Sequence, residues 1–158
     1  MHKLDETDRK ILEILQSRAK ITNAKLSEEI GLSPAPTLER VKKLEQMGVI
    51  TSYHAKLNPE KIGLGVATFV LVTLTQHNRV NIESFVNQIN KIVEVIECHH
   101  ITGAGDFIIK IFARDISSYQ QILLERVSDI KEIDNLQSMV VLSTYKDSKS
   151  LPLQNYNQ

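Results

Sequence analysis

Two hydrophobic periodicities divide the chain. Over residues 4–48 apolar positions recur at helical spacing, and from residue 66 onward runs with strand character alternate with helical ones. Leu4, Ile11, Leu12 and Leu15 form one stripe at a 3.6-residue period. Asp5 stands where an N-cap is needed, and Asp8 suits the first turn of a helix whose start carries partial positive charge. A short second helix follows, capped by Thr22, with Leu26 and Ile30 as an i, i+4 pair and Gly31 supplying the left-handed position that ends it. The third helix starts at Ser33, with Pro34 at N1 and Pro36 still in the first turn, where neither proline loses a hydrogen bond. It runs to about Gly48 and is expected to bury Leu38, Val41 and Leu44. Residues 49–57 then read as a β-ribbon. Two helices turning at Gly31-Leu32, after a longer helix and before a ribbon, have the form of a winged helix-turn-helix.

The second half repeats a strand–helix pattern. Residues 66–75 are apolar on both faces, so both are expected to be covered. A helix carrying Val80, Phe85, Val86, Ile89 and Ile92 on one side comes next. Residues 93–102 form a second strand, Gly103-Ala104-Gly105 a tight turn, and residues 106–113 a third strand. Another helix carries Tyr119, Ile122, Leu123 and Val127, and a last strand spans about residues 135–145. The order βαββαβ is the ferredoxin-like sandwich, so the whole chain is α+β. Its helices cover one sheet face. Apolar side chains on the other call for a second sheet, most simply from a second subunit, with Phe69 and Leu71 on the face opposite to Val70 and Val72. The expected divisions are residues 1–60, 61–147 and a polar, mobile tail, 148–158.

Composition narrows the function. With 158 residues, 42% of them hydrophobic and 24% charged, the chain has room for one large or two small globular domains. Nineteen basic residues balance nineteen acidic ones, which excludes a polycation that coats nucleic acid but not a local basic face. No apolar run approaches the about 20 residues of a membrane span, and Met1-His2-Lys3-Leu4-Asp5-Glu6 lacks the apolar core of a secretory signal. Cys98 has no partner for an intramolecular disulfide, so a cytoplasmic location is expected.

The basic face is on the third helix. With Leu38, Val41 and Leu44 inward, the opposite arc holds Ala35, Pro36, Glu39, Lys42, Lys43 and Gln46, with Arg40 at its edge. Small residues at the helix start let it approach a groove, and the basic side chains behind them reach phosphates or guanine edges. A solvated face with a Glu39–Lys43 pair is the plainer account, but the surrounding helix-turn-helix favours double-stranded DNA. Elsewhere the chemistry is sparse. Cys98 and His100 share one strand face and His99 the other, too few ligands for zinc. Neither Gly63-Leu64-Gly65 nor Gly103-Ala104-Gly105 completes a dinucleotide fingerprint, and no nucleophile–base pair is found. Neither a cofactor nor enzymatic activity is expected.

The segment Gly31-Leu32-Ser33-Pro34-Ala35-Pro36-Thr37-Leu38-Glu39-Arg40-Val41-Lys42-Lys43-Leu44-Glu45, followed by Gly48-Val49-Ile50, resembles the recognition-helix signature of the Lrp/AsnC (feast/famine) regulators. Leu4-Asp5-Glu6-Thr7-Asp8-Arg9-Lys10-Ile11-Leu12 resembles that family's opening, and Thr102-Gly103-Ala104-Gly105-Asp106-Phe107 its glycine–aspartate turn. The likeness spans nearly the whole chain. It implies a transcription regulator that responds to an amino acid, dimeric through its C-terminal sheets and often assembled into octamers. It assigns DNA contacts to Ser33, Pro34, Thr37, Arg40, Lys42 and Lys43. It assigns the effector to the turn of Thr102, Gly103, Ala104, Gly105 and Asp106, with Gln137 and Ser138 on the last strand. The chemistry agrees in outline: Gly103 and Gly105 allow positive φ and expose backbone N–H groups to a carboxylate, while Asp106 can accept an ammonium. The same Gly-x-Gly-Asp sequence also makes a good hairpin turn without any ligand. A DNA-architectural protein of the same fold, without effector response, is the alternative function.

Overall fold

The structure, a computed structural model, describes residues 4–153. The N-terminal stripe becomes α1 (Glu6–Ser17), started by a reciprocal cap in which the Asp8 N–H donates to Asp5 Oδ1 at 2.7 Å and the Asp5 N–H to Asp8 Oδ2 at 3.3 Å. α2 (Asn23–Ile30) is capped by Thr22, which accepts from the Lys25 N–H at 3.3 Å, and ends at Gly31 with φ 74°. α3 (Pro34–Gln46) holds both prolines in its first turn, although the Ser33 side chain makes no cap bond. Ile11, Leu12, Leu26 and Leu44 form the core of this unit, with Leu4, Leu15, Val41, Ile50 and Leu153 against it.

Three expectations change here. The inward line of α3 runs through Thr37, Val41 and Leu44, while Leu38 is 43% exposed. Thr37 can occupy the interior because its hydroxyl donates to the Ser33 carbonyl at 2.9 Å, leaving no polar atom unpaired. The ribbon is not formed: residues 51–57 carry no strand, because no second strand pairs with them among the described residues. As far as it is described, the tail is bonded to the helix-turn-helix unit rather than standing apart from it. Of the described residues, 146–153 group with 4–56, and Leu57–Tyr145 forms the other unit. The Gln16 side-chain amide accepts from the Leu151 N–H at 2.6 Å and donates to the Leu151 carbonyl at 3.2 Å. Lys56 Nζ lies 2.8 Å from both the carbonyl oxygen and Oδ2 of Asp147. The chain therefore passes between the two units twice.

The second unit contains β1 (Val66–Leu74), α4 (Arg79–Ile89), β2 (Val95–His100), β3 (Phe107–Ala113), α5 (Ile116–Ile122) with a π-turn over Leu123–Val127, and β4 (Ile133–Val140). Its sheet order is β2-β3-β1-β4 with every neighbouring pair antiparallel, the ferredoxin-like arrangement that the element order predicts. Alternation sorts β1 cleanly. Thr68, Val70, Val72 and Leu74 are buried, the three apolar ones in a core with Phe85, Ile89, Tyr119 and Val127, while Phe69 and Leu71 on the other face are half-buried. Val80 does not join that core and is 74% exposed. It precedes Phe85 by five residues, which puts it about 140° round the helix. Leu142 and Tyr145, expected in the last strand, lie beyond its end and are 95% and 98% exposed.

Candidate functional site

On α3 the small residues Ser33, Pro34, Ala35 and Pro36 are exposed at the helix start, and Glu39, Lys42, Lys43 and Gln46 further along. Asn23 Nδ2 donates to the Pro34 carbonyl at 2.8 Å, fixing the first turn of α3 against the start of α2. No Glu39–Lys43 ion pair forms, and Lys42 and Lys43 have no ion-pair partner among the described residues. Thr37 does not belong with the contact residues: its side chain is fully buried and its hydroxyl is used within the helix. Arg40 is also engaged. Its Nη1 donates to Asp5 Oδ2 and Asp8 Oδ1, each at 2.7 Å. The hydrogen bonds it donates to Asp5 first and Asp8 second hold the guanidinium pKa above its usual value. The Asp8 backbone N–H, reinforced by Arg40, holds the Asp5 carboxyl below its own. Of the four basic residues over residues 33–56, Arg40 and Lys56 are thus neutralised where they stand, and Lys42 and Lys43 face outward. The Tyr53 hydroxyl donates to Glu45 Oε1 at 2.9 Å and so ties residues 51–57 to α3. Partial burial, then the Glu45 carboxylate, push that phenol up to about 12.

The Gly-x-Gly-Asp turn closes the β2–β3 hairpin, with the Ile101 N–H donating to the Asp106 carbonyl at 2.8 Å. It is also strapped to β1. The Asp106 N–H donates to the Val72 carbonyl at 2.9 Å, and the Leu74 N–H donates to Asp106 Oδ2 at 2.7 Å. His77 Nδ1 lies 2.9 Å from Asp106 Oδ1. The two glycines do different work from that expected. Gly103 alone of the pair has positive φ, 127°. A Cβ on Gly105 would lie 2.7 Å from Leu71 Cγ and 3.1 Å from the Val72 carbonyl oxygen, so that glycine permits close approach of the turn to β1. Thr102, Gly103 and Ala104 are exposed.

Gln137 and Ser138 part company. Gln137 pairs with Leu71, which in turn pairs with Ile108 and that with His99, so it lies on the uncovered sheet face beside the residue that Gly105 touches. Ser138 pairs with Val70 on the helix-covered face, where its hydroxyl is bonded to that of Tyr119. The structure therefore does not bring Ser138 to the turn. His77 is the residue that sequence reading missed; nothing in the spacing links it to Asp106, and only the β1–β3 register does. On the uncovered face Lys110 Nζ sits 5.4 Å and 5.6 Å from the Phe69 and Phe112 ring centroids, and 3.4 Å from Glu97 Oε1. Cys98 is half-buried, which raises its thiol pKa, and the His100 ring stacks on Phe107 at 4.7 Å. Among the described residues no cluster of three metal-ligating side chains occurs, and no helix is long and apolar enough to cross a membrane.

Residues 67–151 match the family model described as the Lrp/AsnC ligand binding domain, and residues 4–51 that described as winged helix-turn-helix DNA-binding. The chain belongs to the Lrp/AsnC family. It is a DNA-binding transcription regulator that carries a ligand-binding domain. Among curated Lrp/AsnC relatives, the transcriptional regulator AzlB of Bacillus subtilis is 38% identical over 95% of this chain and 96% of its own length. The leucine-responsive regulatory protein of Escherichia coli is 36% identical over 94% of this chain and 90% of its own. A solved transcriptional regulator of Neisseria meningitidis, in complex with L-methionine, superposes with a TM-score of 0.92 at 36% identity, covering 96% of this chain and 98% of that one.

Proposed function

We propose that this Lrp/AsnC regulator docks the start of α3 in the major groove of double-stranded DNA, with Ser33 and Pro34 leading and Lys42 and Lys43 on phosphates. The observation that carries this is the pair of outward, unpaired lysines behind a small-residue helix start, in a chain of zero net charge. Non-specific affinity comes from neutralised phosphates, so one such module binds weakly and two are needed. A homodimer formed through the uncovered sheet face, with Phe69, Leu71 and Met139 at its centre, supplies the second, and dimers assemble further into octamers. It acts in the cytoplasm.

The effector is an α-amino acid at the turn of residues 102–106. Backbone N–H groups at Gly103 and Ala104 suit its carboxylate, and Asp106 retains lone pairs for its ammonium after bonding Leu74 and His77. Gln137 lies on the neighbouring strand row. The Neisseria relative's complex with L-methionine supports that ligand class. The architectural alternative draws on the same turn, which the Asp106 N–H and carboxylate tie to β1 as an ordinary hairpin turn would be.

Mobility-shift titrations over a range of salt test the DNA reading. Lys42→Ala and Lys43→Ala should each lower the log–log salt slope by about 0.9 and weaken all sequences alike. Wild-type slopes in both variants would remove α3 from the interface. Calorimetry with the L-amino acids in turn tests the effector, and heat from none of them leaves the architectural reading.

A further inference from the structure

Arg40 carries its charge on the inward side of α3, in the register that buries Thr37 and Leu44. Its Nη1 reaches the start of α1, where Asp5 and Asp8 accept it at 2.7 Å each, across 35 and 32 residues of sequence. Both acceptors are themselves fixed, since they are the two members of the α1 capping box. The Asp8 side chain is only 14% exposed. A donor held between two immobile carboxylates constrains both the axial position and the roll of its helix. A shift of α3 by one residue, about 1.5 Å, would move the donor away from the geometry in which it meets both carboxylates at 2.7 Å.

We propose that Arg40 is a positioning residue: clamped by Asp5 and Asp8, it sets the roll of α3 that presents Ser33, Pro34 and Lys42, and it does not itself contact DNA. Lys42 lies about 200° round the helix from Arg40, so a clamp that holds one inward holds the other outward. The inference rests on α3 being the DNA-reading element. It assigns a DNA-binding role to two acidic residues on another helix, which charge alone would count against binding.

The two accounts of Arg40 predict opposite signs. If Arg40 contacts a phosphate or base, Asp5 and Asp8 compete with DNA for it, and neutralising them tightens binding. If the clamp positions α3, neutralising them weakens binding despite the gain of positive net charge. Asparagine at both positions keeps an N-cap acceptor, so α1 retains its start. In fluorescence-anisotropy titrations, Asp5→Asn/Asp8→Asn is expected to weaken specific binding about threefold to tenfold, the scale of one partly buried ion-pair network. Arg40→Gln should weaken wild type to the same extent and add nothing in the Asp5→Asn/Asp8→Asn background, with the salt slope unchanged throughout. Unchanged or tighter binding by Asp5→Asn/Asp8→Asn overturns the clamp, as does an equal Arg40→Gln penalty in both backgrounds. Where circular dichroism shows that the triple variant does not hold its fold, Asp8→Asn with Arg40→Gln closes the same cycle. Lys42→Ala and Lys43→Ala, measured alongside, read α3 independently. If both bind as wild type, the α3 assignment and the clamp fall together. Weakened lysine variants beside a tight Asp5→Asn/Asp8→Asn variant sink the clamp alone.

Discussion

Gly105→Ala tests the reason for the second glycine of the turn. The added methyl would lie 2.7 Å from Leu71 Cγ, 2.8 Å from Leu71 Cδ1 and 3.1 Å from the Val72 carbonyl oxygen. Carbon atoms in good contact sit about 3.5–4.0 Å apart, so the turn must lift or Leu71 must swing away. Overpacking of this kind costs about 1–3 kcal/mol. Lifting the turn also stretches the 2.9 Å bond from the Asp106 N–H to the Val72 carbonyl, worth about 0.5–1.5 kcal/mol. Leu71 is half-buried and partly free to yield, so the expected total is about 1–3 kcal/mol. In a unit of the size of Leu57–Tyr145 that lowers the melting temperature by about 4–8 °C per kcal/mol. Thermal denaturation followed by circular dichroism measures it. Leu71→Ala gives the decisive background: there Gly105→Ala should cost less than in wild type. Gly103→Ala, strained by its φ of 127° with nothing within 4 Å of the new methyl, should cost the same in both backgrounds. An unchanged melting temperature, or a Gly105→Ala cost indifferent to Leu71, refutes the close-approach argument.

Two further outcomes are expected. The Ser118 backbone N–H first, then its side chain and Arg114, lower the Asp115 carboxyl from 3.8 to about 2. A folded pKa below the unfolded one means stability present above about pH 4 and lost as pH falls through about 2. Asp115→Asn keeps the α5 cap and should flatten the acid limb of a urea-midpoint profile over that window; an unaltered limb would disprove the assignment. Gln16→Ala removes both side-chain bonds to Leu151, so the Leu151 amide should exchange with deuterium faster while the interior amides of α1 keep their protection. Equal Leu151 exchange in both proteins would show that those bonds do not hold the tail.

The elements were legible wherever one local signal sufficed. Asp5, Thr22, Gly31 and the prolines of α3 marked helix ends because capping depends on residues within one turn. The β1 alternation was legible too, although only the fold showed that Val70 and Val72 meet the helices. What the sequence could not show was long-range. Leu38 outranks Thr37 on any hydrophobicity scale, yet a hydroxyl satisfied by Ser33 can be buried and a leucine at the flank can be left out. The bonds of Arg40 to Asp5 and Asp8 were not legible because these partners lie more than thirty residues away, in what read as an ordinary helix start. His77 and Asp106 meet only through strand register, and a ribbon over residues 49–57 depended on a partner strand that its own residues cannot supply.

The return of the chain to the helix-turn-helix unit has a consequence for its synthesis. α1, α2 and α3 leave the ribosome first, but Leu153, which packs against their core, is translated only after the whole of Leu57–Tyr145. At about 5–20 residues per second, the stretch from Ile50 to Leu153 takes roughly 5–20 s. Through that interval the α1 surface beside Glu13 and Gln16, where residues 150–153 later lie, stays bare. The unit whose synthesis begins earlier is therefore completed only after β4, the last strand of the ligand-binding unit, has been made.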